Sequence, residues 1–391
     1  MSDRVRHRGV APSGPERGDE PNDAGSASRP WPKARPLTIA HDYFTQRGGA
    51  ERVAAAMIRA LEPDRVVTAV SDPDRTFPLG TEPIETTMLQ RWAAFRADPR
   101  RALPLLPLAW NLVPPVTSGV VLCSSSGWSH GITVTGDAKK IVYCHNPARW
   151  LYQPEDYFLE QPWIVRATMR LIRPLLSSWD KAAASTADLY IANSTNVAER
   201  IRSTYGREAV VIFPPVSMDA HGETSEVPDL EPGYFITVGR GRGYKNVEAL
   251  VEAFADLPDE RLVVVGARPR GEIPPNVTVL RRVTDAELRW LYRSARALVS
   301  VSHEDFGLTP LEATMFGTPA LLLRAGGFVD SLAEGVSGSF IDDPSPAGIR
   351  ASVRSFPRHW DEAAITEHAA EFSLESFLIR LEAALDLLVT D

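Results

Sequence analysis

The sequence predicts two α/β domains, each a parallel sheet wound with helices on both faces, and three observations lead there. Short β-branched runs recur along the chain, and most are continuous rather than alternating in hydrophobicity. Strands covered on both faces of a parallel sheet have no solvent side, so their apolar runs are unbroken. Helical patterns separate many of these runs, for example at 50–62, 194–206, 245–257 and 284–295. Strand–helix alternation of this kind makes doubly wound units. A polar, proline-bearing stretch then divides the series into two sets of predicted strands.

The first set runs 37–42, 66–71, 120–125, 140–146, 188–194 and 209–215; the second runs 234–240, 261–267, 277–283, 297–302, 319–324 and 338–342. The expected organisation is a disordered tail over 1–36, an N-terminal domain over 37–216, a linker over 217–232, and a C-terminal domain over 233–372. Residues 373–391 form an amphipathic helix that can pack on either domain. The tail is rich in Gly, Pro, Ser, Arg and Asp, and it cannot bury enough apolar surface to offset its ordering entropy.

At 391 residues, 44% hydrophobic and 24% charged, the chain has the composition of an ordinary globular protein. Its formal net charge of -8 argues against nucleic acid as a bulk partner. Cys123 and Cys144 each sit inside an apolar run and read as buried thiols; no CxxC pair suggests a metal site. No apolar run approaches the ~18 residues of a spanning helix, and the N-terminus lacks the apolar core of a secretory leader. The expected location is the cytosol.

Four segments can carry chemistry. His303 to Glu312 follows the predicted strand 297–302 and leads into a helix beginning near Thr309 or Pro310. Ligands of open α/β sheets bind beyond the carboxyl ends of the strands. Gly307 permits close backbone approach, and Glu304 and Glu312 can each accept two hydrogen bonds from vicinal hydroxyls; the same acids also suit simple capping of a helix start. In VGRGRGYKN (238–246), Arg240 and Lys245 flank a glycine turn, an arrangement suited to a diphosphate or to a solvated βα turn. Gly48 and Gly49 precede a helix, where free N–H groups can face an anion or simply form a tight loop. His145 sits at the end of another predicted strand, where it can bond a substrate hydroxyl, shuttle a proton or serve the fold.

Taken together, GGAERV, SSSGWSHG, YCHNPARWLY, IANS, VGRGRGYKN and EDFGLTPLEA resemble the retaining glycosyltransferases of family 4, over residues 37–391. The resemblance is to the GDP-mannose-dependent, mannosyltransferase-like branch. It implies the GT-B architecture, two Rossmann-like domains facing across a cleft that holds a nucleotide sugar. It implies that Glu304 holds the donor hexose, Glu312 the ribose, and the backbone at Phe306, Gly307 and Leu308 the sugar and diphosphate. Arg240 and Lys245 match the family's diphosphate pair, Gly48 and Gly49 its first-domain phosphate loop, and His145 the histidine near the transferred sugar. Val283 matches the valine that touches the nucleobase. Here Arg281 and Arg282 stand ahead of it, where the family has a turn glycine, so guanine versus uracil stays open.

The expected reaction moves a hexose, mannose from GDP-mannose, to a saccharide or lipid-linked saccharide in cell-envelope or polysaccharide synthesis, with no cofactor and no metal. The resemblance implies front-face displacement without a protein nucleophile. Asp72 and Asp74 form a DxD pair, but in a turn-rich loop. Basic and aromatic residues mix at 91–116 and 161–176, which suits peripheral contact with an anionic membrane at its inner face or a solvated helix side. Alternatives are a UDP-hexose donor, a non-hydrolysing nucleotide-sugar epimerase, and an inactive partner subunit of the same fold.

Overall fold

A computed structural model describes residues 35–80, 83–154, 163–239 and 246–387. The first sheet contains β1 (Leu37–His41), β2 (Arg65–Thr68), β3 (Ile84–Thr86), β4 (Val120–Ser125), β5 (Lys139–Cys144), β6 (Leu189–Ala192) and β7 (Val210–Val211). Its order is β3-β2-β1-β4-β5-β6-β7, with every pairing parallel. The second contains β8 (Tyr234–Val238), β9 (Leu262–Val265), β10 (Val277–Leu280), β11 (Ala295–Ser300), β12 (Ala320–Leu323) and β13 (Gly338–Ile341). Its order is β10-β9-β8-β11-β12-β13, again all parallel. Both sheets therefore reverse direction once, between β1 and β4 and between β8 and β11. Such switch points open a crevice at the carboxyl ends of the strands.

Each sheet is buried on both faces, as the continuous apolar runs require. In the first domain one layer packs Trp110, Met169 and Leu176 on the sheet, and the other packs Val53, Met57 and Ile58. The second domain repeats the plan, with Leu250 and Phe254 on one side and Leu291 and Tyr292 on the other. Cys123 and Cys144 are free and buried, and burial pushes the Cys123 thiol up to about 12, so it is an inert core residue.

Some expectations shift. The run 209–215 contributes only Val210–Val211 as strand, and β11 ends at Ser300, leaving Val301 and Ser302 to the site turn. The edge strand β3 has two of its three residues exposed, so it carries no apolar run that a sequence pattern could reveal. The helix near the site starts at Leu308, earlier than Thr309. The linker is fastened to the second domain: Arg289 donates to the backbone oxygens of Asp219 (2.9 Å) and Glu223 (3.0 Å), and Val227 is in that domain's core. Residues 1–34 of the expected tail and 388–391 of the final helix lie outside the described residues.

The helix Leu374–Leu387 settles on the first domain. Phe377, Leu381 and Leu385 join Leu37, Val53 and Met57 in one cluster, and the Phe377 ring lies 5.7 Å from Tyr143. The chain thus crosses between domains twice, near 213–216 and near 372. At the crossing Phe213 stacks on Phe306 (5.5 Å) and lies 5.6 Å from Phe372, while the Val216 N–H donates to the Phe372 carbonyl at 2.9 Å. Aromatic pairs of this kind contribute about 0.5–1.5 kcal/mol each beyond burial.

Candidate active site

A cleft of about 570 Å³ lies between the two domains, walled by the switch points of both sheets. From the first domain it takes His41, Asp42, Gly48, Gly49, Arg52, Ser126, His145, Arg149 and Asn193; from the second, Val238, Gly239, Gly266, Ser302, Glu304 to Pro310 and Glu312. Of the residues singled out in the sequence, His145, Gly48, Gly49, Glu304, Phe306, Gly307, Leu308 and Glu312 all meet here. Arg240 and Lys245 lie outside the described residues, although Val238 and Gly239 just before them line the wall. Val283 is placed elsewhere: it packs against the second domain's core and does not line the cleft. A separate cavity of about 690 Å³, lined by Arg268, Arg270, Val279 and Arg281, opens past the ends of β9 and β10. The cleft rather than this cavity joins the residues of both domains.

On the first domain the site begins where β1, β4 and β5 end. Ser124 Oγ lies 3.0 Å from His41 Nδ1 and 2.8 Å from His145 Nε2. His41 Nδ1 is also 3.0 Å from the Ser124 carbonyl, which only accepts, so Nδ1 carries the proton. Ser124 Oγ then accepts from His41 and bridges it to His145 Nε2. Burial pulls His145 down to about 3 and His41 to about 4, so both rings are neutral near neutrality. A ring this hard to protonate, with Nε2 already bonded, is suited to donating a hydrogen bond and poorly suited to acting as a base.

Asp42 is buried beside them and occupied. Its carboxylate accepts backbone N–H bonds from Ser126 (2.6 Å), Ser129 (2.7 Å) and Trp128 (3.2 Å), and a hydroxyl bond from Ser125 (3.3 Å). It therefore anchors the 125–131 loop. Glu51, the other first-domain carboxylate lining the cleft among the described residues, accepts from Gln46 Nε2 at 2.8 Å. Gly48 is the N-cap of the helix Gly49–Leu61 and has no side chain with which to cap its first turn. A Cβ on Gly48 would fall 2.2 Å from the Glu51 carboxylate; one on Gly49 would lie 3.6 Å from Leu308 of the other domain.

On the second domain, the 304–307 turn is held by a close backbone approach. Gly307 has φ +91°, and a Cβ there would come within 2.4 Å of the Phe328 ring. Behind the turn the Gly327 N–H donates to the Glu304 carbonyl at 2.9 Å, and a Cβ on Gly327 would meet the Phe306 backbone at 2.2 Å. Glu304 accepts from Ser302 Oγ at 3.0 Å. Glu312 sits in the second turn of the helix Leu308–Thr314 and is buried. It accepts from Tyr292 Oη (3.2 Å) and, across the cleft, from Arg52 Nη1 (2.8 Å).

The structure adds residues that the sequence reading passed over. Asp305 pairs with Arg149 and with Arg200 (2.7 Å) and accepts from Asn146 (3.1 Å), all three from the first domain. Asp330 accepts from the Thr195 N–H and hydroxyl, each at 2.8 Å. The acid of the EDFG turn was in plain view, but its three partners lie between 105 and 159 residues away. Asp72 and Asp74 lie on a surface 3-10 turn at Pro73–Arg75, away from the cleft walls. Among the described residues no cluster of His, Cys, Asp or Glu is arranged to hold a metal.

Two parallel-sheet domains meeting at their switch points, with a glycine turn and paired carboxylates on one wall, define a GT-B glycosyltransferase architecture. Residues 47–220 match the model described as Glycosyltransferase Family 4, and residues 223–371 match Glycosyl transferases group 1. Together they place the chain with the family 4 glycosyltransferases.

Among similar proteins is D-inositol 3-phosphate glycosyltransferase of Mycobacterium sp. (strain JLS), 28% identical over 51% of this chain and 52% of the relative. The protein of that name from Geodermatophilus obscurus is 30% identical over 52% of this chain and 54% of the relative. The chain thus spans about half the length of the curated relatives it matches. Among solved structures, sucrose-phosphate synthase from Thermosynechococcus elongatus superposes with a TM-score of 0.63 at 17% identity, over 91% of this chain and 100% of that one. HepE of Anabaena in complex with UDP gives 0.62 at 14%, over 90% and 99%. At these identities the likeness is one of fold.

Proposed function

We propose that the protein is a retaining hexosyltransferase that moves mannose from GDP-mannose to a saccharide or lipid-linked saccharide acceptor in cell-envelope or polysaccharide synthesis. The observation that carries this reading is the convergence, in one cleft, of Gly48, Gly49 and His145 with Glu304, Phe306, Gly307, Leu308 and Glu312. Glu304 accepts bonds from the hexose hydroxyls, and Glu312 exchanges Arg52 for the ribose. The helix start at Gly49 faces the diphosphate together with Arg240 and Lys245, so the charge that develops on the leaving group is met by protein donors rather than a metal. His145 donates to a hydroxyl of the transferred sugar.

Retention by double displacement needs a free carboxylate beside the anomeric carbon. Front-face displacement is proposed instead, with the leaving diphosphate oxygen taking the acceptor's proton; the bonds that Asp42 and Glu51 make within their own domain give each of them a role in the fold. The reaction is placed in the cytosol, and acceptor binding is assigned to the first domain.

Titrating the purified chain calorimetrically with GDP-mannose, UDP-glucose and UDP-N-acetylglucosamine tests the donor. Preference for GDP-mannose, lost in Glu304→Ala, is the expected result. Preference for a UDP-sugar transfers the reading to a UDP-hexose donor, the nucleotide that HepE carries. Binding by none of the three sinks it.

A further inference from the structure

The helix Trp163–Ser185 and the segment 91–112 belong to the same outer layer of the first domain. Met169, Leu176 and Trp179 from the helix pack with Leu106, Ala109 and Trp110 from the segment in one cluster. Their outward surfaces are unusual for a water-facing layer. Trp163 is 70% exposed, Ile164 59%, Leu171 81% and Leu175 73%, and on the segment 91–112 Leu108 is 52% and Leu112 62% exposed. Exposed apolar side chains concentrated in this way mark an interaction surface.

The helix sorts its residues into three sectors at about 100° per residue. Met169, Ile172, Leu176 and Asp180 face the domain. Arg173, Arg166 and Arg170 form the next sector, and Trp163, Leu171, Ile164 and Leu175 a third. Its buried side is fixed by Tyr152 donating to Asp180 at 2.7 Å, so the apolar sector cannot turn inward.

The charge of the layer selects its occupant. Segments 91–112 and 163–181 carry eight basic residues against two acidic, in a chain whose acids outnumber its bases 50 to 42. Of the acids, Asp180 is buried and Asp98 is already paired with Arg100. Arg166, Arg170 and Arg173 form no ion pair among the described residues. A second copy docking symmetrically through this face would set arginine against arginine. An anionic bilayer satisfies both sectors at once, its headgroups meeting the guanidinium groups and its acyl boundary the Trp, Leu and Ile side chains.

We infer that this face docks the protein on an anionic lipid bilayer. The helix is joined to the cleft through the turn Arg149–Tyr152, whose Arg149 lines the cleft and whose Tyr152 holds Asp180. Docking there brings the first-domain wall of the cleft to the bilayer, within reach of an acceptor carried on a lipid.

The test is sedimentation of the full chain with vesicles, without any sugar nucleotide, so its failure leaves the transferase reading standing. The chain is expected to partition onto phosphatidylcholine vesicles containing about one third phosphatidylglycerol, and not onto phosphatidylcholine alone. Binding should fall at least about tenfold in Arg166→Gln/Arg170→Gln/Arg173→Gln and in Leu171→Ser/Leu175→Ser. A thermal midpoint matching the parent shows that each variant is folded. Equal binding to neutral vesicles, binding to neither, or binding that both variants retain overturns the inference. So does concentration-dependent self-association that Leu171→Ser/Leu175→Ser abolishes, which would assign the face to a second copy.

Discussion

On the N-terminal wall of the cleft, His41, Ser124, His145 and Asp42 bond to one another and to their own domain's backbone. On the C-terminal wall Asp305 and Glu312, and beyond the cleft Asp330, bond to the opposite domain. The first arrangement survives any separation of the domains; the second is broken by it. One wall is preorganised, in the sense that its donors need no rearrangement to meet a ligand. The other is held by partners that it loses when the domains part, and the pairs of Asp305, about one fifth exposed, are worth about 1 kcal/mol each. A closed cleft can therefore open cheaply while half of the site stays formed.

Acid breaks the comparison most strongly. Both histidines are depressed below their unfolded value of 6.5, His145 to about 3 and His41 to about 4. The unfolded chain binds the extra protons, so this stability is present above pH 6.5 and is lost as pH falls toward those values. The pair should give a slope of up to about 3 kcal/mol per pH unit below 6.5 in urea unfolding. His145→Gln should remove roughly half of that slope.

Next in size is Gly307→Ala, which combines a left-handed φ with a 2.4 Å approach to Phe328. It should cost about 2–4 kcal/mol in urea unfolding and remove donor binding. Asp305→Asn should cost only about 1 kcal/mol, yet increase the radius of gyration in solution scattering, because Arg149 and Arg200 lose their shared anion. An unchanged radius would show that the cross-cleft pairs do not hold the domains together. Smallest is Gly49→Ala on the preorganised wall, where the added methyl makes an ordinary 3.6 Å contact with Leu308; its stability should stay within about 0.5 kcal/mol of the parent.

The sequence disclosed what depends on local pattern. Buried parallel strands such as Val120–Ser125 and Leu262–Val265 show as unbroken apolar runs, and the EDFG turn shows because a glycine and two acids follow a strand. What depends on distant pairing stayed hidden. Arg52 and Glu312 meet across 260 residues, and nothing near Arg52 distinguishes it from a solvated helix arginine. Ser124 reads as the end of a strand until His41 and His145 flank it. Val283 holds the place in the chain of the family's valine, yet its side chain packs against the second domain's core.

Because Leu374–Leu387 completes the first domain's core, the order of synthesis inverts the order of completion. All of residues 216–372 must leave the ribosome before Phe377, Leu381 and Leu385 can cover Leu37 and Val53. The second domain can close its own sheet while the first still exposes that apolar face. Stalled or shortened chains that end before residue 374 should therefore present a finished C-terminal domain joined to an unsealed N-terminal one, a natural target for chaperones.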